Sequence, residues 1–351
     1  MSEALSFLTE QLKLGGALDR AQVETATTLI LDESVDASAK AELLKALASK
    51  GETPEEIACF VDSFLARSVD PGISPDDVEG PMLDVCGTGG DKLDLFNVST
   101  ISIFVLSAGG ACVVKHGNRG ITSKSGGADV LEALGVRIDL PPEDCAEAIR
   151  RNGVGFMFAP IYHPAFKAVV PVRQQLAQEG IRTIFNILGP LLNPARPAHQ
   201  LIGVFAPELT APFANILKAL GRESAWAVHG KTDDGRGMDE LSTLAETQTT
   251  QLGADGSITD VTIDPAQLGI DKPDLADLQG GDAEANAKIL VAILDGSDRG
   301  AKRDIVTLNS AAGFVASGLA ADLPEGLLRA AEAIDSGKAL EKLKALQGTS
   351  D

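Results

Sequence analysis

The chain has 351 residues, enough for one large domain or two of ordinary size, and its 44% hydrophobic and 23% charged content is that of a globular protein. A formal net charge of −20 excludes general affinity for nucleic acid, which needs a basic footprint. No apolar run approaches the ~20 residues of a membrane helix, so no membrane association is expected, and the start, with Glu3 and Glu10 but no basic cluster, reads as a folded helix rather than a signal peptide.

Four helices are predicted over the first 68 residues. Leu5, Leu8 and Leu12 keep helical spacing until Gly15 and Gly16 stop it. Val23, Ala26 and Ile30 mark the second helix, and Leu43, Leu44 and Leu47 the third, ended by Gly51. The fourth has the clearest start: Thr53 caps, Pro54 suits the first turn and Glu56 completes a capping box. Its stripe is Ile57, Phe60, Val61, Phe64 and Leu65. These helices carry no glycine-rich loop and no titratable cluster, so they are assigned to packing or subunit contact.

Asp70-Pro71-Gly72 and Ser74-Pro75 form a linker, after which the pattern changes. Short apolar runs at Met82–Cys86, Ala111–Val114, Phe156–Ala159, Leu201–Phe205 and Ala225–Val228 alternate with helical segments, which predicts a mostly parallel α/β sheet. The expected organisation is a helical domain over residues 1–72, with a helical segment near 164–192 packing on it, and an α/β domain over 80–350. Further helices are marked by Leu290, Ile293 and Leu294 and by Ile305, Leu308 and Ala312. Cys59, Cys86, Cys112 and Cys145 are scattered without CxxC spacing, which suits a reducing, cytoplasmic setting. Cys86 beside a glycine turn reads as a buried small hydrophobe rather than a nucleophile.

Three stretches carry chemistry. Asp84-Val85-Cys86-Gly87-Thr88-Gly89-Gly90-Asp91 lies where a strand ends, and glycines there let backbone N–H groups face a phosphate. Alone, it is equally compatible with a structural turn. It is not a dinucleotide fingerprint, since Lys92 stands where the third glycine belongs, and Gly120 to Ser125 misses the P-loop glycine before Lys124. Phe96-Asn97-Val98-Ser99-Thr100 leads into an apolar helix, as a simple cap or as a phosphate-binding N-terminus. The third stretch, Lys115 to Asp129, joins cations, hydroxyls and glycines in a loop after a strand, the composition expected around a diphosphate. From Leu95 to Ala128 there is no Asp or Glu, where the average acidic content would place about five. Lys115, His116, Arg119 and Lys124 thus form a basic island suited to an anion.

With Gly87 to Asp91, Asn97 to Thr100 and Lys115 to Arg119 in this order, the chain resembles the anthranilate phosphoribosyltransferase family. Phe158 to His163, Val172 to Gln175, Arg182 to Pro194, Val228 to Gly230 and Gly237 to Glu240 extend the likeness over almost the whole chain. The resemblance implies a small N-terminal helical domain plus a larger α/β domain with a mostly parallel central sheet, the fold of the nucleoside phosphorylase and phosphoribosyltransferase catalytic domains. It also implies a homodimer formed through the helical parts. The implied activity is magnesium-dependent (Mg2+) transfer of the phosphoribosyl group of phosphoribosyl pyrophosphate (PRPP) to the amine of anthranilate, within tryptophan biosynthesis.

The resemblance further implies roles. Gly87, Thr88, Gly89, Gly90 and Asp91 embrace the donor, Asn97, Ser99 and Thr100 bind its phosphate, and Lys115, Asn118, Arg119 and Ser123 hold the rest. Ser99, Asp239 and Glu240 are metal ligands, and Gly87, Asn118 and Arg173 contact anthranilate. Arg173 sits in an acid-free stretch from Pro160 to Ala177, and its planar fork suits a carboxylate. His116 is open between orienting a substrate and capping a loop; His163, His199 and His229 are expected to be structural. The chain departs from the family at donor position Leu95, where Thr or Ser is usual, at donor position Gly127, where Ser is frequent, and in a longer loop over Lys231–Gly237. A pyrimidine nucleoside phosphorylase would carry Lys-His-Ser-Thr-Gly-Gly at the first turn, which this chain lacks.

Overall fold

The computed structural model describes residues 2–90, 93–120 and 124–348. Two compact units result, Met1–Asp70 with Pro160–Pro194, and Pro71–Ala159 with Ala195–Asp351.

In the first unit, α1 (Ser2–Lys13), α2 (Arg20–Leu31), α3 (Ala37–Lys50) and α4 (Pro54–Leu65) occupy the segments that the apolar spacing marks. The capping box at α4 is formed: the Glu56 amide donates to Thr53 Oγ1 at 3.2 Å and the Thr53 amide to Glu56 Oε2 at 3.0 Å. The Glu56 carboxylate also takes the Leu18 amide at 2.8 Å and a buried ion pair with Lys50. Residues 164–192 depart from a continuous helix. Only Val170–Gln178 is α-helical, flanked by 3-10 turns at Pro164–Val169, Ile184–Asn186 and Gly189–Leu191. Pro164 and Pro190 start two of these turns, and Gly180, at φ 72°, closes the helix. Phe166 and Phe185 pack on Phe64 of α4 with ring centroids 5.0 and 5.7 Å away, and Lys45 pairs with Glu179 at 2.8 Å.

The second unit is built on β1 (Met82–Gly87), β2 (Cys112–Gly117), β3 (Val154–Phe158), β4 (His199–Gly203), β5 (Ser224–Lys231), β6 (Gly237–Met238), β7 (Thr247–Leu252) and β8 (Ile258–Ile263). Their order is β3-β2-β1-β4-β5-β7-β8, with β6 on β5; the first five run parallel and the last two antiparallel. The chain leaves β1 for β2 on one side and later returns to its other side as β4. In such sheets the crevice at the C-terminal ends, where the order reverses, is where ligands bind. Helix α5 (Val98–Ala108) is apolar nearly all round and is buried except at Ser99 and Ala108, with Ile103, Phe104, Val105 and Leu106 fully in the core.

The apolar runs mark β1 to β5, with offsets. Strand β4 ends at Gly203 rather than Phe205, because the backbone there meets another segment. Strand β3 starts at Val154, straight after left-handed Gly153 ends a helix, and Ala159 already opens a short helix. Strands β6 to β8 are absent from the sequence reading. In β7 three of the four buried positions are held by Thr247, Thr249 and Thr250, with Leu252 the fourth, so no apolar run announces it. Among the described residues no helix is long and apolar enough to cross a membrane.

Candidate active site

At the C-terminal ends of β1, β4 and β5 the ladders set Gly87 against Gly203 and Gly203 against Val228. After β1 the chain turns through Gly89 and Gly90, at φ 71° and 98°, a region that side chains disfavour. The Thr88 amide donates to the Gly203 carbonyl at 2.9 Å, and its hydroxyl accepts from the Phe205 amide at 3.1 Å. The Gly89 amide donates to Asp239 Oδ2 at 2.7 Å. The glycine turn and the carboxylate pair, distant in sequence, therefore meet.

Absent side chains make room for that meeting. A Cβ on Gly203 would lie 1.5 Å from the Asp239 carbonyl oxygen, one on Gly230 2.4 Å from that of Glu240, and one on Gly87 2.5 Å from Asp239 Oδ2. The segment after Glu240 is held by the fully buried Asn309, whose Oδ1 accepts the Leu241 amide at 2.8 Å and whose Nδ2 donates to the Leu241 carbonyl at 2.9 Å. Sequence reasoning missed Gly203 and Asn309. Their signals are faint: a glycine within the apolar run Leu201–Phe205, and one asparagine in a helix that also carries Lys302, Arg303 and Asp304.

Helix α5 points its N-terminus at the same region. Its N-cap, Asn97, makes no side-chain cap bond; instead its Nδ2 donates to the Ser125 carbonyl at 3.1 Å, and its Oδ1 accepts from Asn286 at 2.8 Å. The first turn thus keeps the anion-attracting character of a helix start. Lys115, buried on β2, donates through Nζ to the Val85 carbonyl at 2.6 Å and to Ser99 Oγ at 3.3 Å, placing a cation beside that turn. Thr100 is buried, and a Cβ on Gly127 would lie 2.9 Å from its hydroxyl, so any side chain at 127 must displace it. Leu95 bridges Gln279 and packs on the core, leaving its backbone as its polar surface.

The basic island is less exposed electrostatically than its sequence predicts. Arg119 is paired with Glu132 and lies 3.6 Å from Asp129, and Lys124 pairs with Asp94 at 2.9 Å. The acids stand just outside the acid-free stretch, and the fold brings them back onto it. The Asp129 carboxylate also closes the loop, accepting the Gly120 and Gly126 amides at 2.9 and 2.8 Å. Asn118 is exposed, its Oδ1 taking the Arg119 amide at 2.8 Å. Asp91 and Ser123 lie outside the described residues.

The remaining candidates separate clearly. His116 is buried in β2 next to Lys115. His163 Nε2 bonds the Leu192 carbonyl at 2.8 Å, His199 Nδ1 bonds Ser224 Oγ at 2.9 Å and His229 Nδ1 bonds the Val204 carbonyl at 2.8 Å, all structural contacts. Burial, with Asp84 nearby, pushes the Cys86 thiol well above its usual range, which disqualifies it as a nucleophile at neutral pH. In the first unit, Arg173 is half-buried over the Phe185 ring at 5.4 Å, and burial lowers its pKa.

The donor set suits magnesium. Ser99 and Glu240 line one small cleft with Cys86, Ser102, Gly203 and Asn309, and Asp239 adjoins it. Among the described residues no group of three or more His, Cys, Asp and Glu could form a protein-only metal cage. Two carboxylates and a hydroxyl are what Mg2+ uses when it keeps waters and shares the oxygens of a bound phosphate.

The model of the a/b domain of a glycosyl transferase family matches residues 79–340, and that of the family's helical bundle domain matches 8–68. The anthranilate phosphoribosyltransferase of Desulfatibacillum aliphaticivorans is 45% identical over 336 residues, 95% of this chain and 96% of that one. The solved structure of the anthranilate phosphoribosyltransferase of Thermus thermophilus superposes with a TM-score of 0.88 at 38% identity, covering 98% of this chain and 99% of that one. The Saccharomyces cerevisiae anthranilate phosphoribosyltransferase in complex with PRPP and Mg gives 0.84 at 26% identity, covering 99% and 97%.

Proposed function

The chain belongs to the anthranilate phosphoribosyltransferase family, and from that premise we propose how its own residues divide the reaction. The enzyme is a magnesium-dependent glycosyltransferase of tryptophan biosynthesis that joins the anthranilate amine to the ribose of PRPP and releases pyrophosphate. The observation that carries the assignment of parts is the Gly89–Asp239 contact, which joins a phosphate-type turn to a carboxylate pair at the sheet's switch point.

The Gly87–Gly90 turn and the first turn of α5, with Asn97, Ser99 and Thr100, bind the donor's phosphates through amides and hydroxyls. Lys115 holds a positive charge beside them, and Asn118 and Arg119 close over the diphosphate, Arg119 exchanging Glu132 for it. Asp239, Glu240 and Ser99 hold magnesium, which when bound neutralises charge on the departing pyrophosphate. The bond between the ribose carbon and pyrophosphate oxygen breaks as charge builds on that oxygen. The nitrogen of anthranilate, already neutral at pH 7, attacks from the opposite face and inverts the carbon. Such an amine needs positioning more than deprotonation, which fits a site whose histidine is buried and whose cysteine thiol is pushed well above its usual range. Arg173 pairs with the acceptor's carboxylate.

The protein works in the cytoplasm, where free Cys59, Cys86, Cys112 and Cys145 stay reduced. It forms a homodimer through the helical unit, where Phe7 of α1 and Leu14 just after it expose 65% and 88% of their surface. Stoichiometric pyrophosphate release that requires both anthranilate and magnesium tests the reading. Release with anthranilate omitted, or base release from thymidine plus phosphate, would count against it.

A further inference from the structure

Three contacts help to place the short stretch of backbone that carries the metal pair. Gly203 and Gly230, at the ends of β4 and β5, admit the carbonyls of Asp239 and Glu240 by having no side chain. The third is a side chain from the helix Ala301–Ala316: Asn309, 1% exposed, bonds both the amide and the carbonyl of Leu241 as a neighbouring strand would. Its Nδ2 also donates to the Ile305 carbonyl at 2.9 Å, which fixes the amide's orientation within its own helix. Asn309 lines the same cleft as Ser99 and Glu240.

We propose that Asn309 is a positioning residue for the magnesium site, setting the register of the Asp239-Glu240-Leu241 backbone so that Glu240 lines the cleft beside Ser99 with Asp239 next to it. Residues 239–241 follow the two-residue strand β6, and the Asn309 bonds fix their backbone at Leu241, the residue next to Glu240. A buried primary amide that satisfies a donor and an acceptor on one residue supplies that constraint, and a hydrophobe of equal volume cannot. Groups that orient ligands from behind typically change metal affinity ten- to a hundredfold when altered.

The inference rests on the reading of Asp239 and Glu240 as metal ligands, and the test separates the two. Bound Mn2+ is measured by electron paramagnetic resonance with PRPP present and anthranilate absent, so no turnover is involved. Asn309→Asp keeps the shape and the acceptor for the Leu241 amide but loses both donated bonds; Asn309→Ala loses all three. Both variants are expected to raise the half-saturating Mn2+ about tenfold or more, while anthranilate KM at saturating metal stays unchanged. Ile334→Ala, a buried control elsewhere in the same unit, should lose stability without moving the Mn2+ curve. If Asn309→Ala does not fold, Asn309→Asp carries the test. A wild-type Mn2+ curve in a folded Asn309→Asp protein overturns the positioning role alone. Absence of any Mn2+ binding by the wild type with PRPP overturns the metal reading and this inference with it.

Discussion

The carboxylate of Asp239 accepts the amide proton of Gly89 at 2.7 Å, across 150 residues of chain. That amide belongs to the turn proposed to receive the donor's phosphates, so an anionic oxygen already occupies an anion seat. On the proposed division of roles, donor and metal binding would draw this carboxylate from the amide toward the cation.

The double change Asp239→Ala with Glu240→Ala should lower magnesium-dependent turnover by ~1000-fold or more, a loss of about 4 kcal/mol of transition-state stabilisation. The circular dichroism spectrum should stay that of the wild type, because both side chains are only half-buried. Turnover within tenfold of wild type would remove the metal assignment.

Arg119 is held by Glu132, and both side chains are partly exposed. Exposed pairs contribute up to about 1 kcal/mol. Glu132→Gln should therefore lower the KM for PRPP, by at most about fivefold, with kcat little changed. A raised KM would mean that Glu132 organises Arg119 for the donor rather than competing for it.

Arg173→Ala should raise anthranilate KM about 10- to 100-fold, the range of one charge-assisted hydrogen bond, and leave PRPP KM within about twofold. Steady-state kinetics with each substrate varied decides it. A change confined to PRPP would place the arginine's role elsewhere.

His163 is buried and its pKa is lowered by desolvation, against a smaller opposing effect of the Leu192 carbonyl. The folded form therefore holds the ring neutral at a pH where the unfolded chain, with a pKa near 6.5, takes up a proton. The stability this provides is fully present above ~6.5 and declines as pH falls below it, with a slope of up to about 1.4 kcal/mol per pH unit. Burial lowers His199 in the same direction. Urea unfolding at pH 7 and pH 5.5 should show a smaller difference for His163→Gln than for wild type. An equal difference would exclude His163 as a source of acid sensitivity.

Helical periodicity and five apolar runs made the helices of the first unit and the parallel strands legible, because burial imposes those spacings directly. The strand Thr247–Leu252 was not legible, since threonine fills all its buried positions but Leu252 and threonine is common on surfaces too. The glycine turn and the α5 start were visible as motifs. The seat around Asp239 was not, because Gly203, Gly230 and Asn309 act through distances that local pattern does not encode. Acids outside a basic stretch, at Asp94, Asp129 and Glu132, likewise fold back onto it in a way that counting along the chain misses.

The most direct test of the account follows anthranilate's own fluorescence with the protein, PRPP and magnesium combined. The emission should fall steadily to completion, stop on adding EDTA and resume on restoring magnesium. Unchanged emission at any protein concentration, with a folded protein and intact PRPP, would contradict the assigned reaction.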